Sequence, residues 1–338
     1  MAPHDARTRV WESAEWRGRV LEWASERLAE LGLGVTGPAE QLHLRPWSTV
    51  LRIPTTDGPV WFKANGVGTA YEPRLLDAFR RWGTGHVITP LALDTDRAWS
   101  LLPDAGRSLR SLLESSTDLA RWLEILPAYA DLQRRLAPRA GELLALGVPD
   151  HRPEAMPAAY ARLLAEPGWL RLGAPDGLSV EHLHRLQALV PDVARWAAQL
   201  AAVGIAPTLQ HDDFHDGNVF VRAASDGPAY VFLDWGDASV AHPFGTLLAN
   251  LRNVSARLDP PVDVAELRKL RDAYLEPWGP SHVRSDLLDA VRWATRLAKI
   301  GRALAWQRAL AGATGTERAT YAGFVPGWLR DLLDPDTW

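Results

Sequence analysis

Residues 210–218 read Gln210-His211-Asp212-Asp213-Phe214-His215-Asp216-Gly217-Asn218, which gathers three carboxylates, two imidazoles and two carboxamides into nine positions. A short apolar run, Val219-Phe220-Val221, follows. A second run, Tyr230-Val231-Phe232-Leu233, ends in Asp234-Trp235-Gly236. Two carboxylates and one amide delivered from the ends of adjacent short strands match what a magnesium-nucleotide phosphoryl-transfer site requires. Such chemistry asks little covalent work of a protein. It needs positioning, a group that orients or deprotonates the attacking hydroxyl, metal ligands, and a cation on the phosphates.

The spacing supplies these parts. Asp213 and Asn218 stand five residues apart as base and metal ligand, and Asp234 is a second ligand. Hard oxygen donors of this kind suit Mg²⁺. Upstream, Lys63 lies in the β-leaning run Val60-Trp61-Phe62-Lys63-Ala64, where it would meet nucleotide phosphates, and Glu72 could hold it in place. Other readings of the same residues stay open. Asp-rich turns often only cap helices or close loops, a strand lysine can be a solvated edge residue, and glutamate in a first helical turn is favoured by the helix dipole. In another reaction class, His211, Asp213 and His215 alternate by two and would share one face of an extended segment. That is a ligand set for a metal-dependent hydrolase, with His182, His184 and His242 as further candidates.

The elements that must position these groups follow from periodicity. Residues 8–32 have helical spacing, with Trp16, Val20 and Trp23 on one face. Three β-leaning runs at 41–45, 50–54 and 59–64 then form an antiparallel meander. A helix at 71–82 and strands at 86–93 and 98–102 complete a first lobe, residues 1–102. From 103 to 338 the pattern is helical, at 109–114, 119–136, 156–164, 180–203, 244–258, 264–275, 285–310 and 316–333. It is broken by a Pro- and Gly-rich stretch at 137–155 and by the two short strands around the acidic motif. Trp293, Leu297, Ile300 and Leu304 share a face of the long late helix, and core packing is the expectation for both tryptophan faces.

His211-x-Asp213-x-x-x-x-Asn218, then Asp234-x-Gly236 after a short strand, with His242-Pro243-Phe244-Gly245 beyond and a strand lysine upstream, resembles the aminoglycoside phosphotransferase and choline kinase branch of the protein-kinase-like fold. The resemblance implies an α+β, two-lobed protein with a small antiparallel β lobe and a larger, mainly helical lobe. It implies Asp213 as catalytic base, Asn218 and Asp234 on Mg²⁺, and Lys63 on the phosphates of ATP or GTP. The pattern departs from the family in three places. The first turn, Pro46-Trp47-Ser48-Thr49, has no glycine, so backbone amides or the Ser48 and Thr49 hydroxyls would contact the nucleotide there. Thr246 stands where many members carry an aspartate, and Glu72 is assigned by spacing alone, nine residues after Lys63. Barely ten residues separate Asp234 from the helix signal at Phe244, too few for a long activation loop. The expected acceptor is therefore a small hydroxylated molecule, antibiotic-like or a metabolite, with antibiotic resistance by O-phosphorylation as one outcome.

Bulk properties narrow the partners. The chain has 338 residues, 47% hydrophobic and 23% charged, an ordinary globular balance. A net charge of −4 argues against nucleic acid. With no cysteine, disulfides, thiolate metal sites and thiol nucleophiles are excluded. No apolar leader and no run of eighteen apolar residues is present, so a cytoplasmic protein with no membrane partner is expected. Basic residues slightly outnumber acidic ones over 261–338, and Arg292, Arg296 and Lys299 form a row at helical spacing. A solvated face is the ordinary reading of that row. If it lines the acceptor site, it favours a neutral or anionic acceptor over a polycation.

Overall fold

The helix expected at residues 8–32 is two helices, because Ser13 interrupts it. The computed structural model describes residues 7–113, 119–222, 230–257 and 264–334. Ser13 takes an extended conformation and its hydroxyl accepts from the Trp16 amide, which caps α2 (Ala14–Glu30) and separates it from α1 (Arg7–Glu12). Trp16, Val20, Ala24 and Leu28 recur at helical spacing on α2, and all four are buried. Gly32, at φ 74, ends the segment in the left-handed conformation that suits a glycine.

The face of α2 lies on a five-stranded antiparallel sheet in the order β1-β2-β3-β5-β4. Its strands are β1 (Glu40–Arg45), β2 (Ser48–Thr55), β3 (Gly58–Asn65), β4 (Ala92–Asp94) and β5 (Trp99–Leu102), with α3 (Glu72–Trp82) between β3 and β4. Leu51, Ile53, Val60, Phe62, Ala64, Trp99 and Leu101 meet the helix in one apolar cluster. Trp16 and Trp23 approach Phe62 and Trp99 edge-on, with centroids 5.7–6.4 Å apart. The expected tryptophan face is therefore core. Strand alternation puts Lys63, between Phe62 and Ala64, on the sheet's other side.

The chain divides into two units: Met1–Gly106 with Gln307–Tyr321, and Arg107–Trp306 with Ala322–Trp338. The sequence reading assigned everything after residue 102 to one lobe. Residues 307–321 instead group with the β-sheet, since periodicity marks an apolar face without naming the core it meets. In the first unit the returning segment packs closely: a Cβ on Gly68 would land on the carbonyl oxygen of Arg308.

The second unit is mainly helical. It contains β6 (Arg107–Ser108), α4 (Leu109–Leu112), α5 (Ala120–Leu136), α6 (Ala140–Ala145), β7 (Asp150–His151), α7 (Met156–Leu164), α8 (Pro167–Leu170), α9 (Val180–Ala188) and α10 (Val190–Ala202). Then come β8 (Thr208–Gln210), β9 (Val219–Val221), β10 (Tyr230–Phe232), β11 (Ser239–Ala241), α11 (Thr246–Arg257), α12 (Val264–Leu275), α13 (Arg284–Ala309), α14 (Gly315–Tyr321) and α15 (Phe324–Asp331), of which α14 and the end of α13 from Gln307 belong to the first unit. Two three-stranded sheets, β10-β9-β6 and β7-β11-β8, stand where one tiny sheet of two adjacent short strands is expected.

Other differences have local causes. The strand expected at 86–93 shrinks to β4, because His86 is left-handed at φ 61. The segment 180–203 divides at Leu189, just before Pro191, and 316–333 divides near Gly323. Helix α6 forms inside the expected break at 137–155. Glu114 and Leu258, the last residues of two expected helices, lie outside the described residues. Among the described residues no helix is long and apolar enough to cross a membrane. Replacing Gly68 with Ala forces backbone apart at the Arg308 contact and should cost about 1–3 kcal/mol. A urea midpoint lowered with an unchanged slope is the expected result, and an unchanged midpoint would refute the packing argument.

Candidate active site

In the first unit Lys63 Nζ lies 2.5 Å from Glu72 Oε2. Lys63 is 8% exposed and Glu72 2%, so the pair is desolvated. Asn65 Nδ2 donates to the same Glu72 oxygen at 2.6 Å. The pairing that spacing suggested between Lys63 and Glu72 is thus present. Glu72 reaches it from the first turn of α3, where Pro73 is the next residue and Gly83 at φ 62 closes the helix.

The β1–β2 turn is short and braced. Trp47 carbonyl oxygen accepts from the Gly66 amide at 2.6 Å and from the Thr69 hydroxyl at 3.0 Å, and the Trp47 ring packs on Tyr321 with centroids 4.9 Å apart. Ser48 pairs with Asn65, and Val50 with Lys63, so Ser48 falls on the Lys63 face. Thr49 falls on the other face. Its hydroxyl accepts from Gln41 Nε2 at 2.8 Å and donates to the His43 carbonyl at 2.8 Å. The expected nucleotide contact from the Thr49 hydroxyl is not offered, because the sheet uses that hydroxyl.

In the second unit the hairpin register brings the two expected metal ligands together. Val219 pairs with Phe232, and the Leu233 amide donates to the Asn218 carbonyl at 2.9 Å, so Asn218 and Asp234 end neighbouring strands. Asn218 Nδ2 donates to the Asp213 carbonyl at 3.0 Å. A carbonyl can only accept, so the amide nitrogen is on that side and Oδ1 is turned away from it. Asp234 is exposed and left-handed at φ 64. An amide oxygen beside a carboxylate is a fitting donor pair for Mg²⁺.

Phe214 anchors the loop that carries Asp213. It is fully buried, stacks on Tyr129 at 4.0 Å, and meets Trp122 and Phe232 edge-on at 5.9 and 5.3 Å. The Asp213 carboxylate, a third exposed, meets two partners. Arg302 Nη2 lies 3.2 Å from Oδ1, and His215 Nε2 lies 3.3 Å from Oδ2. The Gly217 amide donates to His215 Nδ1 at 3.0 Å, and Arg110 Nη2 approaches the same nitrogen at 3.4 Å. Nδ1 is therefore the acceptor, and Nε2 carries the proton that faces Asp213. Burial alone would raise the Asp213 carboxyl, but Arg302 and His215 outweigh it and hold it far below the usual carboxylate range.

Arg302 is the residue that sequence reasoning missed. It is 7% exposed on α13 and donates to the Asp212 carbonyl at 3.1 Å and to Asp237 Oδ2 at 3.0 Å as well as meeting Asp213. The one signal available was its place four residues after Ala298 and five after Leu297, on the apolar side of its helix. Asp216 was also unassigned. Its carboxylate, 1% exposed, takes Arg110 Nε at 2.9 Å and a close contact from Arg257. Thr246, in the place of the expected aspartate, is fully buried, and the His211 amide instead rests on the Tyr129 hydroxyl at 2.9 Å.

The alternating metal set does not form. Asp212 is left-handed at φ 62, so residues 211–215 are not extended and the alternation argument fails. His211 is fully buried with Nε2 2.8 Å from the Leu233 carbonyl oxygen, and burial lowers its pKa. His182 closes a capping box with Ser179 on α9. Among the described residues no group of three histidine or carboxylate side chains is arranged to hold a metal ion. The basic row also separates. Arg292 pairs with Asp289 at 3.0 Å in solvent, Arg296 covers the Trp196 ring at 4.6 Å, and buried Lys299 donates to the Asp331 and Asp334 carbonyls at 2.9 and 2.8 Å.

The fold is similar to that of several solved structures. A macrolide 2'-phosphotransferase from Brachybacterium faecium shares 19% identity over 94% of this chain and 99% of its own, with a TM-score of 0.53. A choline/ethanolamine kinase family protein from Mesorhizobium loti shares 16% over 93% and 95%, with a TM-score of 0.58. Choline kinase from Streptococcus pneumoniae shares 13% over 92% and 99%, with a TM-score of 0.56. No curated protein matches the chain. The profile of the phosphotransferase enzyme family matches residues 74–244, just over half of the sequence, and the chain belongs to that family, as a phosphotransferase with an alcohol group as acceptor.

Proposed function

We propose that the chain transfers the γ-phosphoryl group of ATP or GTP to a hydroxyl of a small molecule, antibiotic-like or a metabolite, with Asp213 as the group that receives the hydroxyl proton. The observation that carries this reading is the Asp213 carboxylate, kept ionised by Arg302 and His215 beside Asn218 and Asp234. Asn218 Oδ1 and Asp234 would hold Mg²⁺, which when bound neutralises charge on the phosphates. Lys63, oriented by Glu72, would meet the phosphates, with Ser48 on the same sheet face.

The acceptor hydroxyl donates a hydrogen bond to Asp213. As its oxygen forms the new bond to phosphorus, the bond to the leaving nucleoside diphosphate oxygen breaks and the proton passes to the carboxylate. A carboxylate of such low basicity takes the proton late. That matches a loose transition state, in which the attacking oxygen needs orientation more than early deprotonation.

Loss of the basic row as a candidate surface removes the argument for an anionic acceptor. The acceptor class is therefore set by experiment. Incubation with each nucleotide and magnesium, over a panel of macrolides, aminoglycosides, choline and ethanolamine, should give one product heavier by one phosphate. No transfer across the panel, together with no magnesium-dependent nucleotide binding, overturns the reading. If a macrolide or aminoglycoside is the acceptor, O-phosphorylation makes the enzyme a resistance factor.

Three variants test the residue roles. Asp213→Asn should lower kcat about 10²–10⁴-fold with the nucleotide dissociation constant unchanged, and retained turnover would remove Asp213 from the mechanism. Arg302→Gln leaves only His215 to oppose burial, so the Asp213 carboxyl should rise. Wild-type kcat should show no acid limb from Asp213 between pH 9 and 5, because a lowered carboxyl stays ionised throughout that window. The variant should gain one, read from a pH–rate profile. Gly217→Ala adds a Cβ 2.8 Å from His215 Cε1 and 3.0 Å from Arg110 Cζ. Both are side-chain atoms that can yield, so the fold should survive while His215 leaves Asp213. A kcat lower by about tenfold at constant nucleotide KM is expected, and wild-type kcat would show that the His215 contact does not matter.

A further inference from the structure

Arg110 and Arg257, neither of them part of the basic row on α13, meet at Asp216 beside the proposed base. His215 touches Asp213, Arg110 touches His215, and both arginines hold Asp216, so an unbroken chain of contacts runs from the reacting carboxylate to two guanidiniums. The cluster is built into the loop. The Arg110 amide donates to the Asp216 carbonyl at 3.0 Å, and its guanidinium lies over Gly217, where a Cβ would stand 3.0 Å from Cζ. The Asp216 carboxylate is buried, whereas the Arg110 side chain is half exposed and that of Arg257 a third exposed.

The charges here do not cancel. A carboxylate that needed only neutralising would be met by one guanidinium fork, two N–H groups on two oxygens. Asp216 instead receives one contact from each arginine, Arg110 Nε on Oδ1 and Arg257 Nη1 on Oδ2. The pair therefore carries one positive charge more than the acid it shares. Arg110 Nη1, Arg257 Nε and Arg257 Nη2 meet no acceptor among the described residues. Planar donors on partly exposed guanidiniums, held in place by a buried acid, suit a carboxylate or a phosphate. Their position indicates whose anion it is. Asn218 and Asp234 end the hairpin strands, where metal and nucleotide phosphates belong. The arginines are reached instead through His215, from the Asp213 carboxylate that takes the acceptor hydroxyl.

We propose that Arg110 and Arg257 form an acceptor subsite for an anionic group, a carboxylate or a phosphate carried on the molecule that is phosphorylated. The imidazole of His215 separates the two binding points, so the anion stands several bonds from the reacting hydroxyl. The subsite sets preference rather than requirement: an acceptor without the anion still reaches Asp213, at a higher KM. Assignment to the acceptor rests on Asp213 as the group that receives the hydroxyl proton, and binding of an anion by the arginines does not.

Sulfate is the probe for the arginines. Calorimetry on the full chain, titrated with sodium sulfate at constant ionic strength, should show one equivalent bound. Arg110→Gln and Arg257→Gln should each weaken it about tenfold, and Arg110→Lys, which keeps the charge and spares the loop, should retain most of it. No sulfate bound by wild type, or equal binding by the Arg110→Gln, Arg257→Gln double variant, overturns the site whatever the chain's activity proves to be. Saturating magnesium-ATP should leave the sulfate in place, and its displacement would assign the arginines to nucleotide phosphate and overturn the acceptor subsite. Transfer is then compared between twins that differ in the anion alone, 6-hydroxyhexanoate and 1,6-hexanediol, D-glucuronate and D-glucose. In wild type kcat/KM for the anionic twin should be higher by about tenfold, and the ratio should fall towards equality in Arg257→Gln. Equal values in wild type overturn the preference. No transfer to any twin or panel member, with the sulfate site intact, supports the subsite and counts against the transfer reading alone.

Discussion

Arg302 reaches the acidic loop from α13 and meets three groups there at once: the Asp213 carboxylate, the Asp212 carbonyl and the Asp237 carboxylate. Each contact answers a different cost. Asp213 needs a cation to stay ionised where burial opposes it. The left-handed Asp212 carbonyl needs a donor, and Asp237 ties the segment after Asp234 to the same point. A guanidinium with five donors in a rigid fork meets all three from two of its nitrogens. The arginine in turn depends on these acids, since a buried cation without them would cost several kcal/mol.

The rest of the loop is arranged around that contact. Phe214 turns inward onto Tyr129, so Asp213 turns outward toward Arg302 and His215. Asp216 gathers Arg110 and Arg257, and Arg110 continues to the His215 nitrogen that already accepts from Gly217. A side chain at Gly217 would press on that ring and guanidinium, which occupy its flank. In the first unit a smaller network works on the same principle. Lys63 and Asn65 share one oxygen of Glu72 in a desolvated site, which holds the lysine in place.

Much of this was legible in the chain. The motif spacing picked out Asp213, Asn218 and Asp234, and the hairpin register then set Asn218 and Asp234 on neighbouring strand ends. The Lys63–Glu72 pair followed from a strand and a helix nine residues apart. The tryptophan faces were readable because a 3.6-residue period marks an apolar stripe without further context. Thr49 departs from the expectation because strand parity turns the hydroxyl one residue from Ser48 to the opposite side of the sheet. The alternation of His211, Asp213 and His215 failed because a single left-handed residue removes the period-two geometry.

What the sequence determined by itself was chemistry that is local in the chain: donor types at fixed spacings, the order of β and helical segments, and the absence of cysteine. What only the tertiary structure decided was every interaction that closes over a long separation. Arg302 lies 89 residues from Asp213, the stretch 307–321 returns to the sheet, and the basic row that looked like one surface serves solvent, an indole and a helix end by turns. The reason is physical. Spacing constrains neighbours through backbone geometry, but which buried charge meets which partner is settled when distant elements pack and shed their water.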